Sequence, residues 1–360
     1  MKLDKFINYQ DLGFEEKTMK PDVVKIIETN DKDCSFVNAF QSISNIYKQE
    51  THSNILLRKK FLDSLKSPSG KLKYKRYPCS PVRYAGGKSL AVGLILELIP
   101  NHVKKIVSPF FGGGSVEIAC SSKFNMEVIG YDIFDILANY WNVQIKKPEE
   151  LSKELLKFRP TKEEFKEVKE ILKAHWKKEK IIKNKVKLAA YYYFNHNTSY
   201  GPHFLGSPSS VYLQEDRYKK LIEKVRFFDP GNLTVKKGSF ENTLSYHNKD
   251  FLYCDPPYYL GGGSKTFVGM YPHRNFPIHH KDFDHQKLCY MLKQHKGGFI
   301  LSYNDCPEVR DMYKDFEMFS PEWQYTFSQG DTRIGKNRVE RNNGSYIKKS
   351  HELIIWKKIQ

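Results

Sequence analysis

Four consecutive apolar residues, Phe251-Leu252-Tyr253-Cys254, run straight into Asp255-Pro256-Pro257-Tyr258, and this junction constrains the fold more than any other stretch. An unbroken apolar run of this kind suits a strand covered on both faces. The strand has to stop at the prolines, because neither has an N–H to give to a ladder. Past the stop lies a rigid corner in which fixed φ values set backbone carbonyls beside a carboxylate, and Tyr258 offers a flat face. Taken alone, Asp-Pro-Pro-Tyr is also an ordinary turn composition, so reading it as a site needs a second, independent pattern.

That pattern lies upstream. Val103 to Phe110 reads as a strand, Phe111-Gly112-Gly113-Gly114-Ser115 as a tight turn, and Val116-Glu117-Ile118-Ala119 as the start of a helix. Glycines serve where the backbone bends sharply and a ligand approaches without Cβ interference. Glu127 to Asp132 then reads as a second strand ending in an acid, twenty positions after Gly112. This spacing matches a strand-tip acid that holds the ribose hydroxyls of a nucleoside cofactor. Beside such a core the corner acquires a chemistry: a planar base with an exocyclic amino group can stack on Tyr258 while Asp255 and the Pro256 carbonyl accept its two N–H hydrogens.

Arg83-Tyr84-Ala85-Gly86-Gly87-Lys88, Pro109 to Ser115, Tyr131-Asp132 and Asp255-Pro256-Pro257-Tyr258 together resemble the Dam-type, D12-class DNA adenine-N6 methyltransferases, and they stand in the order of the α group. The resemblance covers residues 80 to 360. It implies an α/β fold: a Rossmann-like seven-stranded methyltransferase sheet with a mainly helical DNA-recognition insert and an N-terminal extension. It also implies S-adenosyl-L-methionine as cofactor and S-adenosyl-L-homocysteine as product. Carried over position by position, Tyr84 and Lys88 contact the cofactor, Phe110 and Gly112 line its pocket, and Asp132 binds the ribose. Asp255 faces the reacting centre near the methionine end of the cofactor and accepts from the target amino group. The Pro256 carbonyl is the second acceptor, and Tyr258 stacks on the flipped adenine.

The residues agree with that chemistry. An aryl amine is a poor nucleophile because its lone pair is delocalised into the ring. Two acceptors on its hydrogens favour a pyramidal nitrogen and relieve positive charge as a methyl arrives from a sulfonium. Positioning then supplies much of the rate, with no strong base and no covalent enzyme intermediate. Three alternatives stay open at this level: a cytosine-N4 DNA methyltransferase, an RNA adenine methyltransferase, and a DNA-binding protein whose core no longer turns over. The first more often carries Ser at the place of Asp255, and the intact set Lys88, Gly112, Asp132, Asp255 and Tyr258 speaks against the last. A phosphate-binding loop at Gly86-Gly87-Lys88-Ser89 fails on spacing, because Val82 stands where that motif needs its first glycine.

Charge bears on the partner. Lys and Arg number 59 against 41 Asp and Glu, a formal +18, and such a surplus favours a polyanion through counterion release. The partner expected is double-stranded DNA; charge does not separate it from RNA. Enzymes of the resembled kind also work beside a cognate restriction endonuclease acting on the same site, as halves of a restriction-modification pair. The 6 cysteines show no Cys-x-x-Cys pairing, so neither a metal site nor a disulfide framework is expected. No apolar run reaches the ~18 residues of a membrane span. These features suggest a cytoplasmic protein of a bacterial or phage-infected cell.

The chain divides into an extension with a basic linker over 1–78, a methyltransferase core over 79–147 and 238–360, and a target-recognition insert over 148–237. In the first half of the insert, Phe158, Phe165, Val168, Ile171, Leu172 and Trp176 repeat at helical intervals, a core-packing stripe. The second half changes character at Tyr191 to Gly201, where Asn195, Asn197 and Tyr200 carry groups able to contact base edges. Phe194-Asn195 is similar to a Phe-Asn pair at the heart of the recognition region in the resembled family. Arg274, beyond the glycine-rich hinge Gly261 to Ser264, and Arg333 and Arg338, in a basic Asn-rich loop, are further candidates for DNA contact.

Overall fold

The computed structural model describes residues 54–67, 73–259, 283–321 and 352–358. The chain forms two compact units, residues 1–60 and 61–360. Of the first, residues 54–60 are described and are helical. The second holds the sheet and its helices.

Seven strands make one sheet: β1 (Lys105–Ser108), β2 (Glu127–Asp132), β3 (Leu233–Lys237), β4 (Phe251–Cys254), β5 (Phe299–Asn304), β6 (Glu317–Phe319) and β7 (Glu352–Lys357). Their spatial order is β3-β2-β1-β4-β5-β7-β6. The first five run parallel, whereas β7 is antiparallel to both β5 and β6. Strand periodicity divides the interior in two. Ile106, Phe251, Tyr253 and Ile300 enter one apolar cluster, and their sequence neighbours Val107, Leu252, Cys254 and Leu301 enter the other. Side chains of period two thus build a core on each face, and each fully buried Ile, Leu or Val contributes ~1.5–3 kcal/mol. This is the physical reason for the continuous apolar run at Phe251 to Cys254, all four of which are buried.

Helices cover the two faces. Val92–Leu98 forms α1, Ser115–Phe124 forms α2 and Asp135–Lys146 forms α3. Four helices come next without a strand: α4 (Pro148–Leu155), α5 (Lys162–Trp176), α6 (Lys185–Thr198) and α7 (Glu215–Arg226). Phe240–Tyr246 is α8, His285–Gln294 is α9 and Pro307–Met312 is α10. Helix α5 starts where the Thr161 hydroxyl accepts from the Glu164 N–H, with Glu163 and Glu164 at the positive end of the dipole. Its stripe packs as expected: Phe165, Val168 and Leu172 are buried, and Phe158, Ile171 and Trp176 lie partly buried against them. Helix α6 is buried without a break from Leu188 to Thr198 and packs on α3, α4 and α5.

One of the expected boundaries moves. Leu233–Lys237, placed in the insert, is the edge strand β3, its burial alternating as a half-exposed strand requires. The supposed basic linker is anchored too. Tyr74 is buried, donates its hydroxyl to Glu97 at 2.7 Å, and occupies the space a side chain at Gly93 would need. Lys73, Lys75 and Arg76 are exposed, and the one ring among them faces inward.

Candidate active site

The loop between β1 and α2 bends sharply. Gly112 has φ +48°, and a Cβ there would lie 2.8 Å from Tyr84 Cε1, so the Tyr84 ring rests directly on the loop. The Gly112 N–H donates to Asp132 Oδ2 at 3.0 Å, and the Phe134 N–H donates to Asp132 Oδ1 at 2.9 Å. The Gly112 carbonyl accepts from Trp141 Nε1 at 2.9 Å. Burial pushes the Asp132 carboxyl up to about 6, against the pull of its two N–H donors toward the ionised form. Phe110 faces the rings of Phe240 and Phe283 at 5.7 and 5.6 Å.

Two strands away, Asp255 sits at the end of β4 with its side chain 22% exposed, and Lys88, only 3% exposed, donates to it at 2.5 Å. Lys88 also donates to the Gly86 carbonyl at 3.1 Å and stands 5.1 Å from the Tyr258 ring centroid. The family resemblance puts Lys88 on the cofactor; the structure places its ammonium on the acid of the Asp-Pro-Pro-Tyr corner. Burial raises the Asp255 carboxyl, and the charge and hydrogen bond of Lys88 hold it down. Pro256 is buried. Tyr258 is buried as well: its hydroxyl donates to Glu352 on β7, and its ring lies nearly parallel to that of Tyr303. Asn304, at the tip of β5, fixes the corner from the other side, accepting from the Tyr259 N–H at 2.8 Å and donating to its carbonyl at 2.9 Å.

One group in this neighbourhood is not singled out by the sequence. Glu117, on the first turn of α2, is 2% exposed and accepts from the Ser108 hydroxyl at 2.7 Å. Burial pushes it up to about 8, with Asp255 raising and Lys88 lowering it further. The available signal is a lone acid inside Val116 to Cys120, an otherwise apolar helix start.

The insert corrects two expectations. Asn195 and Asn197 are both 0% exposed, so in this structure neither presents its amide to a base. Asn195 Oδ1 accepts from the Leu205 N–H at 2.9 Å; Asn197 Oδ1 accepts from the Arg83 N–H and Nδ2 donates to the Tyr193 carbonyl. The reason is that α6 is enclosed from Leu188 to Thr198, so its polar residues there face the interior. Tyr200, just past the helix, is 78% exposed and remains a candidate for DNA contact. Arg83 steadies this turn: Nη1 donates to the carbonyls of Asn197 and Ser199 at 2.8 and 3.0 Å, and its guanidinium stacks 3.5 Å from the Tyr212 ring centroid. Arg274, Arg333 and Arg338 lie outside the described residues. Among the described residues, no group of three or more His, Cys, Asp or Glu is placed to hold a metal ion, and no helix is long and apolar enough to cross a membrane.

Comparison with known proteins supplies the family. The type II methyltransferase M1.LlaDCHI of Lactococcus lactis subsp. cremoris is 25% identical over 272 residues, spanning 71% of this chain and 91% of that protein. The type II methyltransferase M.MjaIII of Methanocaldococcus jannaschii is 28% identical over 200 residues, 49% of this chain and 68% of its own length. The model of the D12 class N6 adenine-specific DNA methyltransferases matches residues 84–327, a span that takes in the glycine loop, both strand-tip acids and the helical insert. The chain therefore belongs to the D12 class N6 adenine-specific DNA methyltransferases.

Proposed function

We propose that the corner after β4 receives a flipped adenine and that the ends of β1 and β2 hold S-adenosylmethionine, so that this chain methylates adenine N6 at a specific site in duplex DNA. The observation that carries the reading is topological. Strand order reverses between β1 and β4, and ligands of open α/β sheets bind at such a point, outside the carboxyl ends of the strands. The glycine loop, Asp132 and Asp255 all stand there, on three adjacent strands. The donor set fits the cofactor: each Asp132 oxygen takes one backbone N–H and keeps a lone pair for a ribose hydroxyl, and Gly112 lets the Tyr84 ring lie against the loop.

S-adenosylmethionine, when bound, supplies a methyl group on a positively charged sulfur. The protein's part is orientation. Asp255 and the Pro256 carbonyl accept the amino hydrogens of adenine, and the nitrogen lone pair is turned out of the ring plane and toward the donor. Tyr258, fixed by Glu352 at one end and Tyr303 on one face, supplies a stacking surface. The charge and hydrogen bond of Lys88 favour the accepting carboxylate form of Asp255, against the effect of burial. Tyr200, with Arg274, Arg333 and Arg338, contacts the duplex. The names of the relatives favour a cognate restriction endonuclease as partner, and the work is done in the cytoplasm, where DNA and cofactor meet.

The test is direct. Purified protein incubated with S-adenosylmethionine and unmethylated duplex DNA, then digested to nucleosides, should yield N6-methyladenine by mass spectrometry. N4-methylcytosine, or no modified base, overturns the reading.

A further inference from the structure

The turn between α5 and α6, Lys177 to Lys187, carries six lysines and one acid. Lys178, Lys180, Lys183 and Lys185 are exposed, and none of these four has an ion pair among the described residues. Other lysines of the insert differ: Lys147, Lys157, Lys173 and Lys219 each pair with a glutamate three or four positions away. Within the turn only Lys177 finds an acid, Glu179 at 3.7 Å. Like charges gathered without counter-charges repel one another, and a polyanion relieves them.

The turn is also tightly built. The N–H groups of Lys177 and Lys178 donate to the carbonyls of Lys173 and His175, and those of Glu179 and Lys180 both donate to the Ala174 carbonyl. The Ile182 N–H donates to His175 Nδ1 at 3.0 Å, and the Asn184 side chain accepts from the Lys187 N–H at 3.0 Å. Ile182 and Val186 pack on the core. Lys178 itself has φ +63°, a left-handed position past the end of α5 where glycine is the usual residue. A lysine there bears backbone strain that glycine would avoid, which points to a use for its charge. The place of the turn suggests that use. Trp176, the last residue of α5, lies 6.4 Å from the Phe204 ring, and Phe204 lies 5.0 Å from Phe134, two positions past Asp132. Lys169 donates to the Gly206 carbonyl at 2.9 Å. The C-terminal half of α5 thus backs the loop that follows Tyr200, beside the carboxyl edge of the sheet.

Resting on the reading that a base from duplex DNA enters the corner after β4, we propose that this turn is a phosphate anchor: Lys178, Lys180, Lys183 and Lys185 hold the backbone of the duplex flanking the target adenine without reading its sequence. Lysine suits the task, because an ammonium meets phosphate oxygens as a point charge and carries no pattern that selects a base.

Salt dependence tests it. Binding of a fluorescent 30-base-pair duplex of random sequence is followed by anisotropy from 0.05 to 0.3 M KCl for the native chain and for two fourfold variants. One carries Lys→Gln at 178, 180, 183 and 185, the other Lys→Gln at 147, 157, 173 and 219, so that both lose the same charge. The turn variant should show a slope of log K against log salt shallower by ~2–4 and an affinity ~10²-fold lower at 0.1 M salt, with much smaller changes in the other. Lys178→Gly should raise Tm by relieving the left-handed lysine and yet weaken duplex binding ~3–10-fold, a pairing that a merely structural lysine does not give. An unchanged slope in the turn variant, or equal losses in both variants, overturns the anchor. A turn variant that methylates a different set of adenines in genomic DNA overturns the phosphate role in favour of sequence reading. These results stand apart from failure of the functional reading: a native chain that makes N6-methyladenine while the turn variant binds normally loses the anchor alone, whereas a native chain that binds no duplex loses both.

Discussion

The tips of β2 and β4 each present one aspartate, two strands apart, and the sequence around them looks equally suited to either task. The structure holds them by opposite means. Asp132 is gripped by two backbone N–H groups, one from the β1–α2 loop and one from the turn that follows β2. Asp255 is held by a single lysine on a long flexible stem. Backbone donors make a rigid binder whose geometry is fixed before any ligand arrives. A side-chain cation leaves the acid able to exchange one partner for another, which is what an acceptor for a transient amine requires.

Replacing each acid separates the two roles. Asp255→Ala should lower turnover ~10²-fold or more with DNA affinity kept; near-normal turnover would break the assignment. Lys88→Met sharpens it. Lys88 lowers the proton affinity of Asp255, so without it the carboxylate that accepts is present only at higher pH. The acidic limb of the pH–rate profile should move to higher pH, and turnover on that limb should fall. A limb that stays in place refutes the coupling. Asp132→Ala should weaken S-adenosylmethionine binding ~10-fold with little change in kcat at saturation. In the native chain that affinity should decline as pH drops through about 6, where Asp132 gains its proton; a flat titration curve contradicts the ribose role. The smallest effect lies in the insert. Thr161→Ala removes a helix cap and should cost ~1 kcal/mol, a few degrees in Tm, with no loss of rate.

Legibility in the sequence divides along physical lines. Strands β4, β5 and β7 announce themselves, since a strand buried on both faces has to be apolar throughout. Strand β6 is three residues, Glu317–Phe319, all at least partly exposed, and leaves almost no pattern. Strand β3 alternates like a surface element, which is why an edge strand reads as part of the insert. Asn195 and Asn197 mislead for another reason: donor and acceptor groups say nothing about direction. The neighbouring run Ala189 to Phe194, apolar around the whole helix, is the sign that this part of α6 is buried on all faces. Likewise Glu117 stays hidden because a motif marks the loop and not the turn of helix behind it.

The bond from Tyr258 to Glu352 joins the corner of the active site to a strand 94 positions further along the chain. Strand β7 lies between β5 and β6, so neither the bond nor the sheet around it exists until residues 352–357 have left the ribosome. The cofactor strands, by contrast, are complete long before. A growing chain that has reached residue 340 has all its motif residues but still lacks β7 and the bond that ties Tyr258 to it.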